Sequence, residues 1–165
     1  MNKTKIYFLM SISLAALHCF EIKANPGSVL SLKGPPTIQT HDSQIYPYPQ
    51  GKEKLFVLLW ATWCKECKEK LSKVLPLQKD HPRIHILALN TEKNLKKVSE
   101  FIESEKIALP VAFDLERNFR KTLSLVSVPA WAAFSRDKDS QWKLIDKGDA
   151  IDKEKIKIAL GEEIL

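Results

Sequence analysis

Leu55 to Trp60 and Ile84 to Leu89 are short runs in which apolar residues hardly give way to polar ones. A strand with one face in water alternates, whereas a strand covered on both faces does not. Both runs therefore predict central, doubly buried strands. After the first, apolar positions recur at Cys67, Leu71, Val74 and Leu75, which is one face of a helix beginning near Cys64. Pro76 kinks or ends that helix. Leu95, Val98, Phe101 and Ile102 mark a second amphipathic helix, with Thr91 or Asn94 as its cap. Val111 to Phe113 reads as a short strand and Glu116 to Leu123 as a short helix. Val128 to Phe134 is apolar, interrupted by Pro129, and Trp142 to Ile145 follows as a strand after a turn at Arg136–Ser140. Asp152 is placed to cap a last helix with Ile156, Ala159 and Leu160 on one face, and Gly161 to end it. Residues 25–54, rich in Pro, Gly, Ser and Gln, read as an extended lead-in with a short hairpin around Thr37–Gln39 and Gln44–Tyr46.

Strands separated by helices predict parallel pairing through crossovers, and the late hairpin adds antiparallel strands. The expected fold is α/β: a central mixed sheet with helices on both faces. No internal repeat or second domain is visible.

The first residues change the picture of where this domain works. Lys3 and Lys5 precede a mostly apolar run of 15 residues, Ile6 to Phe20, and Ile22-Lys23-Ala24 then offers a cleavage point. Basic, apolar, then cleavable is the order of a secretory signal. Residues 1–24 are thus expected to be a signal peptide, with an uncleaved anchor as the alternative, and residues 25–165 the domain. The run is short against the roughly 20 residues of a membrane span. Cys19 falls in the leader. The protein is expected in the periplasm or another extracytoplasmic space. The net charge is +6, but Lys and Glu are interleaved, with no Arg-rich run or aromatic ladder. That composition describes a solvated surface and argues against nucleic-acid binding.

Beyond the leader the chain has two cysteines, Cys64 and Cys67. A bridge between them closes too small a loop to restrict the unfolded chain much, so redox chemistry explains them better than scaffolding. A thiol attacks a disulfide only as the thiolate, and free Cys titrates near 8.5. Placed between a strand and a helix, Cys64 meets unpaired N–H groups and the helix dipole, which favour negative charge. Lys65 and Lys68 add to this and Glu66 opposes it. Cys67 lies about one turn on, within reach to resolve a mixed disulfide. Trp60 and Trp63 are expected to flank the pair with apolar surface. The rival readings are half of a zinc site, an inert exported disulfide, and a Cu(I) metallochaperone holding the metal on both thiolates. No second Cys pair exists for zinc, and Met1 and Met10 lie in the leader.

The segment Phe56-Val57-Leu58-Leu59-Trp60-Ala61-Thr62-Trp63-Cys64-Lys65-Glu66-Cys67 closely resembles the active-site segment of thioredoxin-fold proteins, and its Trp-Ala-Thr-Trp-Cys form looks most like the exported TlpA/ResA branch. The resemblance runs over roughly residues 36–160. Ser127-Val128-Pro129 resembles the segment before that family's cis-proline loop, and Pro110-Val111-Ala112-Phe113-Asp114 the strand start of the insert typical of the branch. The resemblance implies a thioredoxin-like fold and thiol:disulfide oxidoreduction on protein cysteines, with reduction as the direction, for instance in cytochrome c maturation. It implies Cys64 and Cys67 as catalytic, and Trp63, Val128 and Pro129 as the substrate-binding surface. It implies no cofactor or metal, and a thiol electron donor, membrane-bound or soluble. Three positions depart from the pattern. Glu66 replaces a usual Pro, Leu58 a usual buried Asp or Asn, and Ala130 the usual Thr after the cis-proline. With Leu58 unable to handle protons, Glu66 is the candidate for proton transfer during resolution; its plainer reading is a solvated helix-start carboxylate.

Overall fold

The computed structural model describes residues 35–40, 44–74, 76–151 and 153–161. The expected leader, Leu75 and the Asp152 cap lie outside them. Ten elements follow in order: β1 (Lys54–Trp60), α1 (Lys65–Val74), α2 (Leu77–Asp80), β2 (Ile84–Asn90), α3 (Leu95–Ser104), β3 (Val111–Phe113), α4 (Asn118–Thr122), β4 (Ala130–Arg136), β5 (Trp142–Gly148) and α5 (Lys153–Leu160).

The strands form one mixed sheet in the order β3-β2-β1-β4-β5. β1 pairs in parallel with β2, and β2 with β3, while β4 runs antiparallel to both β1 and β5. The two apolar runs are thus the two innermost parallel strands. Their side chains divide the core into two halves, because successive residues of a strand point to opposite faces. Phe56, Leu58 and Trp60 enter a cluster with Leu71 and Val74 of α1, Val98 of α3 and Ala159 and Leu160 of α5. Leu55, Val57 and Leu59 enter the opposite cluster with Ile38 of the lead-in, Phe119 of α4 and Phe134 of β4. Helices therefore cover both faces, as expected, with the lead-in completing the α4 side.

Local signals explain the boundaries. Asn94, rather than Thr91, caps α3: its side-chain oxygen accepts the Lys97 N–H at 3.1 Å. α1 stops at Val74, and the one-turn α2 starts immediately after Pro76, so the proline ends the first helix. The lead-in forms the expected hairpin contact as a bridge between Gln39 and Ile45, and Gln39 bridges Phe113 as well, adding a rung beyond β3. The α4 helix is shorter than the Glu116–Leu123 pattern. Arg117 stands in the left-handed region at φ 57°, and the buried Asp114 carboxylate receives the N–H groups of Phe119 and Arg120 at 3.0 and 3.1 Å. Helical geometry can begin only after that turn. β5 runs three residues beyond Ile145.

Trp60 flanks the cysteines from the core side, in the same buried cluster as Cys64 and Cys67. Trp60 lies on the Phe56–Leu58 side of β1, so its ring is fully buried and packs on Phe101 of α3, with ring centres 5.6 Å apart. Trp131 is a core residue stacked on Phe56, and Trp142 lies under the Arg136 guanidinium.

Candidate active site

Parallel strands open their C-terminal ends toward one edge of the sheet, and the loops that leave them meet there. β1 ends at Trp60, and the next four residues turn into α1. The Cys64 N–H donates to the Ala61 carbonyl at 3.1 Å, and the Cys64 carbonyl accepts the Lys68 N–H at 3.4 Å, so Cys64 stands at the mouth of the first helical turn. Cys64 and Cys67 are joined in a disulfide, with Cα atoms 5.2 Å apart. The Cys67 N–H points at Cys64 Sγ, 3.1 Å away. That donor is one of the free N–H groups of a helix start, and it stabilises charge on sulfur. Exposure separates the pair: Cys64 is 7% accessible and Cys67 not at all. Trp63, at 67%, stands out beside Cys64 as the sequence implied. Glu66 is exposed, with its carboxylate 3.8 Å from Lys70 Nζ, and Lys68 is drawn to Glu105 at 2.6 Å.

β4 begins at the same edge, because Ala130 pairs with Leu59 near the end of β1. The peptide bond before it, Val128–Pro129, is cis. Pro129 is buried, and Val128 packs against both halves of the core. The structure thus brings Trp63, Cys64, Cys67, Val128 and Pro129 to one edge.

Two carboxylates that sequence reasoning missed brace this edge. Glu92, two residues past β2, accepts the Thr62 N–H at 2.6 Å and the Thr62 hydroxyl at 3.0 Å, with Lys97 Nζ at 3.5 Å. Partial burial pushes its carboxyl up, but the Thr62 donors, Lys97 and Asn90 together hold it below the ordinary range. Glu92 therefore fixes the residue before Trp63 as an anion. Asp149, just after β5, accepts the N–H groups of Val126 and Ser127 at 2.8 and 3.1 Å, setting the approach to Pro129. The next residue is anchored to the core, since Trp131 Nε1 donates to the Ala150 carbonyl at 2.8 Å. Neither residue carries a local motif. The clue available was positional: each follows a strand that ends on the edge where the cysteines lie.

This sheet order, with a dithiol loop opening α1 and a cis-proline leading into the neighbouring strand, defines the chain as a thioredoxin-fold protein. No protein-family model matches it. It is 26% identical over 98 residues to sporulation thiol-disulfide oxidoreductase A of Bacillus subtilis, an alignment covering 56% of this chain and 58% of the relative. It is 28% identical over 90 residues to thiol-disulfide oxidoreductase ResA of Bacillus thuringiensis, covering 53% and 50%. The chain thus spans about half the length of the curated relatives it matches. The crystal structure of StoA from Bacillus subtilis superposes with a TM-score of 0.58 at 19% identity, covering 79% of this chain and all of that one. The chain has the thioredoxin fold and is similar in sequence to thiol-disulfide oxidoreductases of the ResA type.

Proposed function

We propose that the chain is an extracytoplasmic thiol:disulfide oxidoreductase that acts on protein cysteines, with reduction as its direction. The observation that carries this reading is the unequal burial of a bonded cysteine pair at a helix start. Cys64 keeps slight exposure and its sulfur receives a backbone N–H, while Cys67 is fully buried. The names of the curated relatives support the same chemistry, and the basic–apolar–small order of residues 1–24 supports the location. Among the described residues no helix is long and apolar enough to cross a membrane.

In the reductive direction the Cys64 thiolate attacks one sulfur of a substrate disulfide. The S–S bond breaks, the departing thiolate takes up a proton, and Cys64 is left in a mixed disulfide. The Cys67 thiol then loses its proton and attacks Cys64 Sγ, releasing the second substrate thiolate. Two electrons and two protons pass to the substrate, and the enzyme is left with its Cys64–Cys67 bridge. A thiol donor, membrane-bound or soluble, restores the dithiol. Trp63, Val128 and Pro129 form the surface along which the substrate lies, and secreted cysteines such as those of cytochrome c apoprotein are fitting substrates. Glu66, at the mouth, takes the Cys67 proton.

The test has three readings. Limiting alkylating reagent on the reduced protein should label Cys64 first, and Cys67→Ser should accumulate mixed disulfides through Cys64. The midpoint potential should lie at or below that of a glutathione pool, about −220 mV. Predominant labelling of Cys67 would overturn the assignment of roles. A potential near that of strong oxidants, about −120 mV, would overturn the direction.

A further inference from the structure

Two clefts meet along the edge beside the disulfide. One, of about 340 Å³, is lined by Trp63, Lys93 and Glu92. The other, of about 370 Å³, is lined by Lys121 and Val126. Arg117 and Arg120 wall both, so the two form one trough. It begins at the residue before Cys64 and ends three residues before Pro129. Trp63 and Val126 at its two ends are 67% and 76% exposed, far more than a core needs. Large apolar side chains held in water beside a reactive group mark a contact surface.

The charge along the trough is mainly positive, with Glu92 the one carboxylate among its lining residues. Among the described residues, Lys93, Arg117 and Lys121 have no ion-pair partner. Arg120 spends one nitrogen on the Val126 carbonyl, at 2.8 Å, and that contact fixes the far end of the trough while leaving the charge unpaired. The nearby carboxylates are turned to other work. Glu92 holds Thr62 and Lys97. Asp114 is buried under α4, and Asp149 receives the N–H groups of Val126 and Ser127. Glu116 lines a separate cleft.

We propose that this trough receives an acidic, extended stretch of the substrate protein adjoining its reactive cysteine. The substrate backbone lies across Trp63 and Val126, and its Asp or Glu side chains face Lys93, Arg117, Arg120 and Lys121. The proposal rests on the thiol–disulfide reading above and adds the substrate's chemistry to it. Fields focused in a cleft raise encounter rates by one to three orders of magnitude and fade with salt.

The experiment gives the reduced protein three disulfides. One is the neutral hydroxyethyl disulfide. The others are two peptides of equal length, each with a single Cys capped by thionitrobenzoate, flanked by Glu in one and by Lys in the other. Each rate is divided by that of dithiothreitol on the same compound, which removes intrinsic reactivity. At about 0.01 M salt, where charges act over roughly 30 Å, the acidic peptide should react about tenfold faster than the basic one. The ratio should approach one at about 1 M salt, where the range is roughly 3 Å. The Lys93→Glu/Arg117→Glu protein, and separately Lys121→Glu, should lower the low-salt ratio several-fold. Equal rates at low salt, or a ratio that both variants leave unchanged, would overturn the proposal. So would equal rates with retention on phosphatidylglycerol vesicles, which would assign the trough to a membrane surface. Failure to reduce hydroxyethyl disulfide would instead sink the thiol–disulfide reading itself.

Discussion

Trp131→Phe tests whether the core reaches the substrate edge through a single line of contacts. Trp131 is fully buried, stacks on Phe56 with ring centres 5.9 Å apart, and donates Nε1–H to the Ala150 carbonyl at 2.8 Å. Ala150 follows Asp149, whose carboxylate fixes Val126 and Ser127 just before Pro129. Phenylalanine keeps a ring against Phe56 but removes the donor and leaves a void. The part-buried carbonyl without a partner costs about 1 kcal/mol. A void of roughly 40 Å³, at about 24 cal/mol per Å³, costs about 1 kcal/mol more. Lost apolar contact brings the sum to about 2–3 kcal/mol. The small residue opposite cannot fill the gap: Gly148 lies so close that a Cβ there would stand 3.0 Å from Nε1. Urea unfolding of the oxidised protein should show this loss at unchanged slope, with a fall in Tm of roughly 10 °C. Amide exchange at Val126 and Ser127 should quicken in the same variant, because their acceptor sits on the released loop. A loss under about 0.5 kcal/mol, or unchanged exchange at Val126 and Ser127, would refute the line of contacts.

Asp149→Ala removes the second half of that line alone; peptide disulfides should react several-fold more slowly while the Tm falls by less than in Trp131→Phe, measured by stopped-flow and calorimetry. Glu92→Gln should destabilise the protein by about 1 kcal/mol at neutral pH, moderated by solvent near the group. The sign of its pH dependence follows from the depressed folded pKa: the contribution is complete above the ordinary carboxyl value of 4.5 and is lost as pH falls through the lower folded value. The difference between wild type and Glu92→Gln should therefore vanish in strong acid, and one that grew on acidification would contradict the bracing role. His85, half-buried against the Tyr46 hydroxyl at 2.7 Å, has its pKa lowered by burial and by Lys52; its NMR titration should fall below 6.5, with stability lost as pH drops through that folded pKa. Glu66→Gln should slow decay of the mixed disulfide in a quench series; an unchanged rate would reduce Glu66 to a surface charge.

The parts of this fold legible in the sequence are those set by neighbours along the chain. The unbroken apolar runs of β1 and β2 reported burial on both faces, and the dithiol between strand and helix was visible in its spacing. The nearness of Trp60 to Cys64 in sequence placed it beside the pair but left its depth open: it meets Cys64 and Cys67 from within the core. Two residues on from Leu58 along a strand, it points inward with Leu58. Glu92 and Asp149 stayed hidden for a different reason. They meet their partners 30 and 22–23 residues away, and an isolated Glu or Asp in a loop has the same composition whether it braces a site or faces water. The cationic side chains of the trough likewise come from separate places, Lys93 from the β2–α3 loop and Arg117, Arg120 and Lys121 from α4 and the turn before it.

The inventory of buried polar groups narrows the path of the proton that Cys67 must lose. Among the described residues, the buried polar or charged side chains are Asn90 and Asp114. Asp114 is taken by the N–H groups of α4, and the Asn90 oxygen by the Glu92 N–H at 2.7 Å. Where the resemblance leads one to expect a buried Asp or Asn, Leu58 lies in the same cluster as Cys67, together with Leu71 and Val74. Apolar surroundings disfavour a thiolate and supply no base. The reduced Cys67 thiol thus has hydrocarbon behind it and the Cys64 sulfur in front. On the proposed reading its proton leaves past Cys64 toward the mouth, where Glu66 is exposed beside the partly buried Lys70. On the same reading, the proton leaves before the second substrate sulfur departs, so resolution requires room at the mouth beside the seated substrate.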